Sequence, residues 1–244
     1  MKSLRLQKFL AHAGLGSRRD MDNLIVAGGV KVNGKIAIAG QRISKDDIVT
    51  INNKKIKSSV WTSIPRVWIY NKPEGEIVSR NDPAGRKTSF DNLPKIKIGK
   101  WVSVGRLDFN TSGLLIFTTS GELANNLMHP RFNVQREYMV RTNDVLNDEE
   151  LGSLKSGMYL VDGIGRFQSI SFQRGGGNNV WYKVITLEGR NRFVRRMFEA
   201  INYQVTRLVR VRMGIINLPK TLSKGKGIEL EKTEILKIKK IISE

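Results

Sequence analysis

The stretch VSVGRLDFNTSGLLIFTTSGELANNLMHP, residues 102–130, decides how the rest of the chain is read. One apolar run ends at Gly105 and another begins after Gly113, so Arg106, Asp108, Asn110, Thr111 and Ser112 fall in a short polar loop between two strands. Leu107 and Phe109 alternate with Arg106 and Asp108, and in an extended segment the Arg and Asp side chains would share a face and pair. By itself, an Asp in a glycine-flanked loop is more often a turn former or cap than a nucleophile. Working outward, strands are expected at Val67 to Tyr70, Trp101 to Val104, Leu114 to Thr118, Tyr138 to Arg141, Tyr182 to Thr186 and Val205 to Val211. With at least two helices among them, this predicts an α+β domain on a mixed sheet.

The 244 residues hold 42 Lys and Arg against 22 Asp and Glu, a net charge of +20, while the 40% hydrophobic content is that of a folded domain. A folded surface with that excess attracts polyanions, nucleic acid first and anionic membranes second. No run of 18 apolar residues is present, and charged or polar residues break up Met1 to Phe9, so neither a membrane span nor a signal peptide is expected. Zero cysteines removes disulfides and thiolate chemistry, and His12 and His129 alone make a histidine metal centre or a Ser/His/Asp triad an unpromising basis for catalysis. Gly163 and Gly165 form a bare G-x-G without the acid a dinucleotide site needs, and no P-loop occurs, so no cofactor and no metal is implied.

The first sixty residues read as a separate unit carrying +8. Leu6, Phe9, Leu10 and Ala13 make one helix face, Ser17 to Asp20 has the capping-box form of a second helix, and Asn33-Gly34 is a hairpin turn. Arg18 and Arg19 open that second helix, where the macrodipole disfavours cations, so they are either solvated or await an anion. Residues 57–66 read as a linker, giving units at 1–60 and 67–244 with 61–66 between them. Arg174 to Asn179, with three glycines, reads as a flexible loop.

Three later features bear on chemistry. Tyr138 and Val140 share a strand face in REYMVR, residues 136–141; alone, Tyr138 reads as a core aromatic. In TLEGRNRFVRRMFEAI, residues 186–201, Val194, Met197, Phe198 and Ile201 form an apolar helix stripe, with Arg192, Arg195, Arg196 and Glu199 opposite it. Arg207, Arg210 and Arg212 extend the basic surface as phosphate-contact candidates.

Residues 3 to 55 resemble the ribosomal-protein-S-four type of RNA-binding domain, and GRLDFNTSGLL resembles the signature of RNA pseudouridine synthases of the RsuA/RluB group. NKPEGEIVSR, residues 71–80, resembles a further motif of that family, with Lys72, Pro73 and Gly75 as turn chemistry near the pocket. The resemblance covers nearly the whole chain. It implies a mainly antiparallel catalytic sheet flanked by helices, and conversion of uridine to pseudouridine in ribosomal RNA, closest to the type acting on 23S rRNA. Asp108 is then the catalytic carboxylate, Tyr138 packs against the uracil, and Arg106 and Arg195 keep Asp108 ionised. Val194 contacts the base, with Arg192 and Arg196 beside it as substrate contacts, while Arg5, Lys8, Arg18 and Arg19 hold RNA. The expected protein is a cytoplasmic monomer whose partner is rRNA, free or in an assembling large subunit. A noncatalytic rRNA-binding or assembly factor is the alternative.

Overall fold

The computed structural model describes residues 3–57, 64–96 and 99–243. The chain divides into two compact units: Met1–Pro65 with Pro94–Val102 and Thr119–Gly121, and Arg66–Leu93 with Ser103–Thr118 and Glu122–Glu244. Two short segments from the later sequence therefore belong to the first unit, which a linear partition at 66/67 does not anticipate. Most of the expected linker, residues 58–63, lies outside the described residues.

The first unit contains β1 (Leu4–Arg5), α1 (Leu6–His12), α2 (Arg18–Val26), β2 (Val30–Val32), β3 (Lys35–Ile36), β4 (Arg42–Ile43), β5 (Val49–Ile51) and β6 (Lys54–Lys55). The capping box that starts α2 is complete: Asp20 donates its backbone N–H to the Ser17 hydroxyl at 3.1 Å, and Ser17 donates its own to the Asp20 carboxylate at 2.6 Å. Asn33 and Gly34 both have positive φ, 51° and 82°, as a two-residue hairpin between β2 and β3 requires. Leu6, Phe9 and Leu10 from α1 meet Met21 and Ile25 from α2 over Val30, Ile43 and Val49, forming this unit's own core.

The later elements are β7 (Val67–Lys72), β8 (Val102–Ser103), β9 (Ser112–Thr118), α3 (Gly121–Met128), β10 (Arg136–Thr142), α4 (Asp148–Ser156), β11 (Met158–Leu160), β12 (Gly163–Gly165), β13 (Ser169–Gly176) and β14 (Asn179–Thr186). They continue through α5 (Phe193–Glu199), β15 (Val205–Met213), β16 (Ile216–Asn217), β17 (Gly227–Glu229) and α6 (Lys232–Ser243). The main sheet runs β13-β14-β10-β15-β9-β7-β17, antiparallel at every step except β15 to β9. The six expected strands are all present, most of them longer than read. The fold is α+β, as expected. The Arg174 to Asn179 loop is corrected: β13 runs through Gly176 and β14 starts at Asn179, so only Gly177 and Asn178 turn. Glycines there permit close strand pairing, since a Cβ on Gly175 would collide with the Asn179 backbone.

Strand β9 lies between β7 and β15, and all seven of its residues are buried, which accounts for the unbroken apolar run LLIF. Strand β10 alternates instead, turning Arg136, Tyr138, Val140 and Thr142 to the inside. Against that face α5 packs Val194, Met197 and Phe198, with Tyr182 and Val184 from β14 and Leu208 from β15. No helix among the described residues is long and apolar enough to cross a membrane.

Candidate active site

Asp108 sits where β9 emerges from its loop, half-buried, on the wall of a cavity of about 1390 Å³ that lies wholly within the second unit. Tyr138, Val194, Arg136 and Arg210 line the same cavity. The loop bearing Asp108 is held by its backbone. Lys72, fully buried at the end of β7, points its ammonium at the carbonyls of Pro73 (2.9 Å), Asp108 (3.2 Å), Phe109 (3.4 Å) and Thr111 (2.9 Å). Gly75 donates its N–H to the Phe109 carbonyl at 3.0 Å, and Arg195 donates Nη2 to the Asn110 carbonyl at 2.9 Å. Every carbonyl from 108 to 111 thus has a donor, and the loop cannot turn without breaking charge-assisted bonds.

Burial pulls the Lys72 amine down to about 8, against the opposing pull of Glu76, Asp108 and Glu74. The Arg195 guanidinium is pushed down by burial and by Arg192, and upward by Asp108. Both cations therefore lie in the field of the Asp108 carboxylate. Gly113 completes the site. Its φ is +100°, and a Cβ there would run into the backbone of Arg210, so glycine lets β9 and β15 close together directly after the loop.

Three features differ from expectation. Arg106 is exposed at the cavity wall and makes no ion pair with Asp108 among the described residues; the turn closed by Thr111 N–H on the Asp108 carbonyl follows both residues. Arg195, expected to pair with Asp108, reaches its loop by another route. It is 8% exposed and spans from Val205 O (2.8 Å) to Asn110 O, reaching the Asp108 loop through its backbone without an ion pair to the carboxylate among the described residues. Arg210 is not a surface residue either: bulges in the β10–β15 pairing put it at 3% exposure, opposite Tyr138.

The chain was compared with known proteins. A family model described as RNA pseudouridylate synthase matches residues 66–200, and an S4-domain model matches residues 4–49. The chain belongs to the RNA pseudouridylate synthase family. It is 50% identical over 230 residues to the ribosomal large subunit pseudouridine synthase B of Yersinia pestis, covering 93% of this chain and 72% of that protein. It is 51% identical over 232 residues to the protein of the same name from Shigella flexneri, covering 94% and 80%. A solved structure described as a pseudouridylate synthase superposes with a TM-score of 0.65 at 27% identity, over 96% of this chain and 99% of that one.

As a pseudouridylate synthase with an S4 domain, the protein is an isomerase. Tyr138 is both core and cavity wall: it belongs to the cluster with Val194 and Leu208 while lining the same cavity as Asp108. Arg192 lines the cavity from a left-handed backbone (φ 48°) and pairs with Glu199 at 2.8 Å. Arg196 does not line it, being held by both oxygens of Asp162 at 2.8 Å. Arg212 is held by Glu137, Gln135 and the Gly214 carbonyl, and Arg207 lies 3.8 Å from Glu74. Arg5, Arg18 and Arg19 are exposed in the first unit, and Lys8 is half-buried there. Sequence reasoning missed Arg136, whose only signal was a cation on the inward-facing period of β10, and it undervalued Lys72.

Proposed function

We propose that the protein converts one uridine of 23S ribosomal RNA to pseudouridine, with Asp108 as the catalytic carboxylate. The observation that carries the reading is Asp108 itself, set in the cavity where the carbonyls of 108–111 are all fastened, with Tyr138 lining the same cavity. The names of the relatives support large-subunit RNA as the substrate. The uracil must leave the ribose, turn and rejoin through C5, a change with no net redox step. A stacked uridine hides the reacting atoms, so the nucleotide flips into the cavity at a cost of a few kcal/mol, offset by RNA contacts. Tyr138 stacks on the base and Val194 packs beside it, while Arg192 and Arg106 meet the RNA at the cavity wall. Arg195 acts as a positioning residue, holding the Asn110 end of the loop. Arg5, Lys8, Arg18 and Arg19 of the S4 domain, with Arg207, supply phosphate contacts that set affinity more than chemistry. The protein works as a cytoplasmic monomer on free rRNA or on an assembling particle.

Mapping pseudouridines at single-nucleotide resolution in rRNA from cells with and without the protein tests the reading. One 23S position should lose its modification in the deletion and regain it with the wild-type chain. An unchanged map would refute the assignment.

A further inference from the structure

Two buried guanidinium groups on the cavity wall have no carboxylate partner among the described residues. Arg136 is 6% exposed, and all its acceptors are backbone carbonyls: Leu187 (2.6 Å), Met128 (3.1 Å) and Val134 (3.2 Å). Arg210 is 3% exposed and donates Nε to the Leu114 carbonyl at 2.8 Å; its terminal nitrogens have no protein acceptor among the described residues, and Nη2 is sealed from solvent. Neither arginine has an ion pair among the described residues. Burial pushes the Arg136 guanidinium down, Tyr138 opposes that, and the charge of Arg210 adds to the downward push, so the two cations repel each other. Burying like charges without a counter-ion is costly, and such an arrangement is stable in use when a ligand supplies the missing negative charge.

Both arginines flank Tyr138. Arg136 lies two residues earlier on the same face of β10, and Arg210 stands opposite Tyr138 in the β10–β15 register. The chemistry in this cavity generates one anion. When the C1′–N1 bond breaks, its electron pair leaves with the base, and the charge spreads over N1, O2 and O4. After the base turns, C5 gives an electron pair to C1′, the C5 proton departs and N1 takes up a proton, so neutral uridine becomes neutral pseudouridine. A buried cation that meets charge present only between those two bond changes accelerates the reaction without tightening substrate binding.

Resting on the isomerase reading, we propose that Arg210, supported by the field of Arg136, donates a hydrogen bond to a carbonyl oxygen of the flipped uracil and stabilises the detached uracil anion. This role takes the place of the phosphate contact expected for Arg210, since an RNA backbone lies at the surface and Arg210 is 3% exposed on the cavity wall, opposite Tyr138 in the β10–β15 register. Arg210 is then a catalytic residue in addition to Asp108.

The test compares wild type, Arg210→Gln and Arg210→Lys, each in the full chain, in single-turnover reactions at saturating RNA carrying either uridine or 5-fluorouridine at the target. Consumption of the target nucleoside is read by nuclease digestion and mass spectrometry. Fluorine makes the departing base a more stable anion, which needs a cation less. Expected are a loss of about 100-fold or more for Arg210→Gln on uridine, partial recovery in Arg210→Lys, RNA affinity within about threefold of wild type, and a penalty at least tenfold smaller on 5-fluorouridine. The ratio of the two rates in one preparation does not depend on how much of a variant is folded. Equal penalties on both substrates would overturn the proposal, and so would weakened affinity with an intact rate, which would mark Arg210 as a phosphate contact. If wild type consumed neither nucleoside, the isomerase reading itself would fail.

Discussion

Lys72 couples the site to pH. Its ammonium titrates at about 8 instead of the ordinary 10.5, so between those values the unfolded chain binds more protons than the folded one. The contribution of Lys72 to folding stability therefore rises with pH across that window, from a cost fully present below about 8 to its removal above 10.5. The Asp108 loop responds in the opposite sense, because the neutral amine has one donor fewer and no charge for its four carbonyl acceptors. We expect kcat to fall as pH rises through about 8 while the melting temperature does not, and Lys72→Met to be slow and flat over the same range. An identical decline in Lys72→Met would assign the titration elsewhere. Asp108→Asn, nearly isosteric, should bring pseudouridine formation to background in a folded protein that still binds RNA, as measured by nucleoside analysis and filter binding. At Tyr138, Phe keeps the ring and Ala removes it. If stacking is the role, Phe should retain most of the single-turnover rate and Ala should lose about 100-fold, a stacked base and ring being worth about 1–3 kcal/mol.

At the scale of elements, the site depends on how closely β9 and β15 approach. Their parallel pairing joins Ser112 to Val209 and Gly113 to Arg210, at the point where the loop enters its strand. A methyl group at Gly113 would meet both an unfavourable φ of +100° and the Arg210 backbone. Gly113→Ala should therefore cost about 2–4 kcal/mol in urea denaturation, more than a Gly→Ala change at an open position. It should also lower activity at temperatures where the variant remains folded, since it separates Arg210 from the loop. A second element-scale device is the β11–β12 hairpin, tied down by Asp162, which accepts from Arg190 at 2.9 Å and from Arg196 at 2.8 Å. That network holds Arg196 on Asp162, outside the cavity lining, although its helix borders the cavity.

For the whole molecule, charge and architecture divide the work. The net charge of +20 is spread over both units, yet the first carries exposed Arg18 and Arg19 at the start of α2 and no catalytic candidate. Removing residues 1–65 would also leave 94–102 and 119–121 without the unit they belong to, so charge reversal in the intact chain is the cleaner probe. Arg18→Glu with Arg19→Glu should weaken rRNA binding and flatten the slope of log affinity against log salt by about 0.7–0.9 per lost phosphate contact. Turnover at saturating RNA should be unchanged. A slope equal to that of wild type would show that these side chains do not touch phosphate.

The sequence by itself determined the local and the periodic: the capping box at Ser17 and Asp20, the Asn33-Gly34 turn and the apolar run of β9, while Asp108 was singled out by the resemblance of its motif. The local features depend on near neighbours and on the two- and 3.6-residue periods, which survive in a linear string. What only the tertiary structure decided is who touches whom. Arg106 stays exposed at the cavity wall without pairing to Asp108 among the described residues, and Arg210 turns inward because bulges shift the β10–β15 register. Lys72 and Arg195 reach the catalytic loop through backbone carbonyls, which every residue possesses and no residue letter marks. Interactions of that kind become visible only when strands distant in sequence are laid side by side.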